Sequence, residues 1–199
     1  MAEDYKQTLY RLLKQSIDRG EEGYKTIRRL FQYRFSPVLE KHYDVGFSVV
    51  DRVATYFAVP FRAVYLCGSA QTGYSYFKQR DFSEKESDLD ISIVHPALFQ
   101  KYSEISFEVT RGYTDLTKFI REDDQDSARQ FSANLAKGFF RPDLMPSCGP
   151  RQHWFAFFNR LSNDYGDCFT NINAGIYLSE VFFEGKQLPL IQKYKESAQ

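Results

Sequence analysis

The sequence predicts a mixed α+β fold, a small mixed sheet flanked by helices. Three observations predict it. The first sixty residues place apolar side chains at helical spacing, Asp88–Val94 alternates with period two, and "RAVYLC" at 62–67 is a short apolar run closed by Gly68.

The elements follow in order. Leu9, Leu12, Leu13 and Ile17 share one helical stripe, and Phe47, Val50, Val53, Ala54 and Phe57 share another, which Pro60 stops. In 88–94, Asp88, Asp90 and Ser92 lie on one face and Leu89, Ile91 and Ile93 on the other, the pattern of a half-buried strand ended by His95-Pro96. Residues 97–136 read as mostly helical around the acidic stretch "REDDQD", whose Glu122, Asp123, Asp124 and Asp126 are expected in a solvated loop. "KGFFRPDLMP" is a third strand candidate, which Pro142 requires to lie at an edge or to be irregular there. Gly149-Pro150 opens a helix with Trp154, Phe157, Phe158 and Leu161 inward. "CFTNINAGIYL" is a last strand, and Ser179 caps a final helix that Pro189 kinks or restarts. A single domain is expected: a helical segment over 1–60, a core carrying the site over 61–146, and a helix-strand-helix completion over 147–199.

With 199 residues and 43% apolar content, the chain can bury a core without staples. Lys+Arg and Asp+Glu both number 26, which argues against a protein that coats nucleic acid by bulk charge. Most of the abundant aromatic residues are expected in the core, and a minority are available for base stacking. Cys67, Cys148 and Cys168 are odd in number and far apart, so neither a zinc ribbon nor a disulfide framework is indicated. The N-terminus has no apolar signal core, and no run approaches the roughly 18–20 apolar residues of a membrane span. The expectation is a cytoplasmic protein with no membrane association.

The chemistry concentrates in "YLCGSAQTGYSYFKQRDFSEKESDLDISIV" (65–94). Side chains at i and i+2 of a strand point the same way, about 6.5 Å apart. Two carboxylates there repel unless a cation lies between them, and magnesium is the hard, oxygen-seeking choice. Gly68-Ser69, after the first strand, lets backbone N–H groups and a hydroxyl approach phosphate oxygens. A lone Gly-Ser is an ordinary turn; the ordered set carries the inference.

Gly68-Ser69, the turn glycine Gly73, then Ser87-Asp88-Leu89-Asp90 on the next strand resemble the signature of the DNA polymerase β-like nucleotidyltransferase superfamily. The resemblance covers 64–146, and Tyr74–Glu86 reads as an insertion relative to compact members. It implies a nucleotidyltransferase-like sheet. Gly68, Ser69, Gly73 and Ser87 would bind the nucleotide. Asp88, Asp90 and a third carboxylate would hold two Mg2+, with Mn2+ as a substitute. Asp143 in "RPDLMPS" is similar to the third motif of oligoadenylate synthetases and CCA-adding enzymes and is taken as that carboxylate, which would also help deprotonate the acceptor. Asn171 and Asn173 on the last strand are poorer ligands. The implied reaction moves a nucleoside monophosphate from an NTP, ATP being the expected donor, to a hydroxyl of an RNA end or a protein side chain. The implied setting is a bacterial toxin–antitoxin or phage-defence pair with a cognate protein partner.

Three other readings stand beside it: an inactive member serving as a regulatory partner, a nucleotide second-messenger synthase, and a nucleic-acid-binding module using Lys78, Arg80 and Lys85 in the long loop. Arg141 would share a face with Asp143 and pair with a carboxylate or a phosphate. Lys186 and Lys193 on the terminal helix are candidate phosphate contacts. His42, His95 and His153 show no ligand spacing, Cys67 reads as a small filler, and Trp154 reads as core.

Overall fold

In the computed structural model, which describes residues 4–119, 121–122 and 125–197, the fold is mixed α+β. Helix α1 (Tyr5–Asp18) starts where the Asp4 carboxylate accepts from the Gln7 amide, and it buries Leu9 and Leu13 fully. Its stripe continues through Ser16; Ile17, expected inward, is 36% exposed because the next helical turn rotates it past the core. Helix α2 (Gly23–Ile27) runs into a π-helical turn, Arg28–Tyr33, in which the Arg34 amide donates to the Arg29 carbonyl at 3.0 Å.

Helix α3 (Tyr43–Phe57) turns Val49, Val50, Val53 and Ala54 inward. Phe47, expected on that stripe, is outside it and 55% exposed, its ring packed near that of Phe61. Ala58, in the left-handed conformation, ends this helix ahead of Pro60.

Next come β1 (Val64–Cys67), the short helix α4 (Gly68–Thr72), and a hairpin of β2 (Tyr74–Ser75) and β3 (Arg80–Asp81). This hairpin is what the expected insertion folds into. β4 (Leu89–Val94) leads to α5 (Pro96–Val109), capped by the His95 ring nitrogen, which accepts from the Leu98 amide. The described ends of the acidic stretch pair as β5 (Arg121–Glu122) and β6 (Gln125–Asp126), and Asp126, exposed as expected, caps α6 (Ser127–Leu135) by accepting from the Arg129 amide. Asp123 and Asp124 lie outside the described residues.

The third strand is shorter than its sequence suggests. β7 covers only Phe139–Phe140, because the chain then turns through Pro142, with the Leu144 amide donating to the Arg141 carbonyl. Helix α7 (Gly149–Asp164) follows, with Trp154, Phe158 and Leu161 buried. β8 (Ile172–Tyr177), α8 (Glu180–Gln187) and α9 (Pro189–Ser197) complete the chain, Ser179 preceding α8 and Pro189 opening α9.

The strand order is β1-β4-β8-β7. β4 is antiparallel to β1 and parallel to β8, and β7 pairs antiparallel with β8 at the edge. Opposed residues share a face, so Val64, Leu89, Ile91, Ile93, Ile172 and Ile176 enter one core with residues of α3, α5 and α7. Tyr65, Cys67, Val94, Phe139 and Tyr177 face a second core with α1, α8 and α9. Gly175 lies under the Phe139 ring, where any Cβ would overlap it. No helix among the described residues is long and apolar enough to cross a membrane.

The buried Gln71 amide couples α4 to the N-terminal segment. It donates to the Leu30 carbonyl at 2.8 Å and to the Arg34 carbonyl at 2.9 Å, while the Ser36 hydroxyl donates to the Ala70 carbonyl. Gln71→Leu removes both donors and leaves two carbonyls enclosed. It should lower stability by about 1–3 kcal/mol, read from urea unfolding midpoints at unchanged m-value.

Candidate functional site

The register of β1 on β4 sets Cys67 opposite Asp90, so the chain leaves β1 directly above the second aspartate. Gly68 takes φ +62 there, and a Cβ on it would sit 2.8 Å from Asp90 Oδ2. The backbone angle calls for glycine, and the absence of a Cβ leaves the Asp90 carboxylate free to lie against the turn. Ser69 follows in the first turn of α4, its carbonyl accepting from the Gly73 amide at 2.7 Å.

Gly68, Ser69, Asp90 and Asp143 all line one cleft of about 1080 Å³. Asp88 stands just before β4, a third exposed, with the Lys78 ammonium 3.9 Å away and the Asn171 amide donating to it at 3.4 Å. Gly73 and Ser87 play supporting parts. Gly73 ends α4 against the Tyr5 ring, and its carbonyl accepts from the Phe82 amide. Ser87 is buried, its hydroxyl accepting from the Ser83 amide and its carbonyl from the Thr170 amide.

The neighbour of Asp90 across the sheet is Asn173 on β8, not Asp143. Asp143 follows β7, which the whole of β8 separates from β4. Its carboxylate takes two hydrogen bonds from Arg141, and its carbonyl accepts from Arg151 at 3.2 Å. The three acids thus do not meet at one point: Asp88 adjoins Asp90 at the start of β4, and Asp143, which lines the cleft with Asp90, is held in an ion pair by Arg141. Among the described residues, no three His, Cys, Asp or Glu side chains gather as a metal-binding group. The sequence signal for Asn173 was the alternation of Asn171, Asn173 and Gly175 against Ile172, Ala174 and Ile176, which sets the asparagines on the same face as Asp90.

The cleft carries both signs of charge: Asp90 and Asp143 line it with Lys137, Arg141 and Lys186, of which Arg141 is paired with Asp143. Asp90 is reached by solvent but walled in, so burial, and after it the charge of Asp88, raises its carboxyl above the ordinary range, with Lys78 acting the other way. The Cys67 thiol is pushed up to about 12, first by burial and then by the Asp90 charge, against a lowering hydrogen bond from Ser92. It donates to the Asp90 carbonyl and accepts from the Ser92 hydroxyl, which suits an inert spacer under the aspartate. Arg80 and Lys85, set beside Lys78 as a basic loop, are otherwise engaged: Arg80 donates to the Glu86 carbonyl, and Lys85 pairs with Asp167.

Comparison with known proteins finds no matching family model, no matching curated protein and no matching solved structure. What the cleft can do is therefore argued from its own side chains. Two adjoining carboxylates beside a glycine-opened turn can hold a divalent cation and the phosphates it draws in, with the Asn171 and Asn173 amide oxygens as neutral supplementary ligands.

Two outcomes test this electrostatic picture. Because the folded Asp90 carboxyl is raised above its unfolded value, the native state binds more protons between the two. Stability therefore falls as pH rises through that window, and the penalty is complete above the folded value and absent below the unfolded one. Asp90→Asn should accordingly raise the melting temperature at pH 7, with the gain shrinking to nothing as pH falls through the carboxyl range. Cys67 should resist iodoacetamide at pH 8 in the folded protein and react once urea unfolds it, as peptide mass mapping would show.

Proposed function

We propose that this protein is a metal-dependent nucleotide-binding domain of the DNA polymerase β-like nucleotidyltransferase type, transferring a nucleoside monophosphate from an NTP to a hydroxyl acceptor. One observation carries the reading: the first residue of the Gly-Ser turn, a glycine at φ +62, lies directly against the Asp90 carboxylate. A phosphate held by Gly68 and Ser69 would adjoin the same carboxylates that bind the cation. Asp88 and Asp90 would hold Mg2+ or Mn2+, which when bound neutralises phosphate charge. Lys137 and Lys186 line the same cleft and balance the remaining negative charge. Lys78 reaches Asp88 and would give way to a bound cation. The acceptor, an RNA end or a protein side-chain hydroxyl, is taken from the resemblance.

A second reading has its own observation in its favour. Asn173 occupies the strand position beside Asp90, and Asp143 is held by Arg141. Two charged ligands can hold one cation without supplying the third carboxylate that a two-metal transfer uses. On this reading the domain binds a nucleotide and signals to a partner without transferring anything.

Calorimetry with ATP and Mg2+ tests the shared part. Wild type should bind only when the metal is present, and Asp88→Ala/Asp90→Ala should abolish that heat. Metal-independent binding, or equal binding by the double variant, overturns both readings. Incubating wild type with each of the four labelled NTPs and cell extract separates them: label on RNA or protein supports transfer, and binding without label supports the partner reading.

A further inference from the structure

The hairpin that interrupts the motif ends in an aromatic ring, Phe77, that takes no part in closing its turn. Tyr74 and Tyr76 are buried in the second core, Tyr76 stacking on Tyr10 with centroids 5.7 Å apart. Between and beyond these anchors the turn is closed by polar groups. The Tyr74 hydroxyl donates to the Gln79 side-chain oxygen, the Gln79 amide donates to the Tyr76 carbonyl, and the Lys78 amide donates to the Ser75 hydroxyl. Phe77 takes part in none of this. It is 81% exposed, yet it lines the same cleft as Gly68 and Asp90.

Its neighbours fix where it points. Lys78, one residue on and therefore about 3.8 Å along the backbone, extends to Asp88. Lys193 of α9 holds its ammonium 3.5 Å from the centre of the Phe77 ring. The tip is thus tied on one side to the acidic pair and on the other to the terminal helix. A ligand anchored by its phosphates at Gly68-Ser69 would extend its far end toward this rim.

We propose that the hairpin is a nucleobase platform, with Phe77 stacking on the base of a nucleoside triphosphate whose phosphates lie at Gly68-Ser69 and Asp90. The inference rests on the functional reading above and adds the residue that contacts the base. A flat hydrocarbon ring that is largely exposed, with the Lys193 ammonium against one face, can offer its other face to a flat ligand, and stacking accepts every base because each has a π-face. All four NTPs should bind, purines ahead of pyrimidines because they cover more of the ring. Lys78, beside Asp88, suits the phosphate-bearing side of such a ligand.

The test compares each NTP with inorganic tripolyphosphate, both with Mg2+, by calorimetry on wild type, Phe77→Ala and Phe77→Trp. Base stacking on an aromatic side chain is worth roughly 5- to 150-fold in affinity. Wild type should bind ATP at least about tenfold more tightly than tripolyphosphate. Phe77→Ala should erase that difference while leaving tripolyphosphate affinity within about twofold, and Phe77→Trp should restore it. An unchanged ATP affinity in Phe77→Ala would overturn the platform while leaving the phosphate and metal site standing. Equal weakening of ATP and tripolyphosphate would also overturn it, because the ring would then act only by holding the hairpin. If wild type binds neither probe, the functional reading fails and the platform falls with it.

Discussion

Everything in the cleft depends on the alternation of β4. Leu89, Ile91 and Ile93 are essentially removed from water, and β1 and β8 bond the strand on both sides. A slip of one residue would drive Asp90 and Ser92 into that apolar core, so the register is held by the burial of three aliphatic side chains. Asp90 is thereby committed to the opposite face, under the turn leaving β1. Its carboxylate is held where neither burial nor the charge of Asp88 favours ionisation, and it stays there because the strand cannot move without losing the core.

The two acidic positions of the cleft resolve their charge differently. Asp143 carries its own counterion, gripped by an arginine two residues earlier in the same turn. Among the described residues, the cation that reaches Asp88 and Asp90 is Lys78, from the hairpin, 3.9 Å from Asp88. A self-satisfied ion pair has little to gain from a passing cation. An under-compensated pair has more, which is why the proposed cation site is placed at β4 rather than at Asp143.

Much of this architecture was legible in the sequence, and the parts that were not share a cause. The strand at 89–94 and the glycine at 68 were readable because period two and a positive-φ turn leave local marks. The paired asparagines were visible but passed over, since Asp143 offered a better ligand and nothing local says which strand lies beside which. Strand order arises from long-range packing, and it set Asn173 beside Asp90. The same limit explains Phe47 and Ile17. A helical stripe is wide enough to admit either of two adjacent residues, and only the partner surface decides between them. The hairpin at 74–81 read as mere insertion because its anchors, Tyr74 and Tyr76, earn their meaning from α1 and α9, far away in the chain.

The wide turn at Arg28–Tyr33 bears on how this chain tolerates changes of length. A π segment holds one residue more per hydrogen-bonded loop than an α-helix does, and such segments behave as single-residue insertions into a regular coil. Here the carbonyls of Leu30 and Arg34 are both claimed by one glutamine in the helix that carries Ser69. Trimming one amino acid from this stretch would restore an ordinary helical pitch at the expense of that grip, turning everything downstream by about 100°. Elsewhere a surface helix can absorb a one-codon loss at its frayed end; this one would pass it through Gln71 to the helix that carries Ser69.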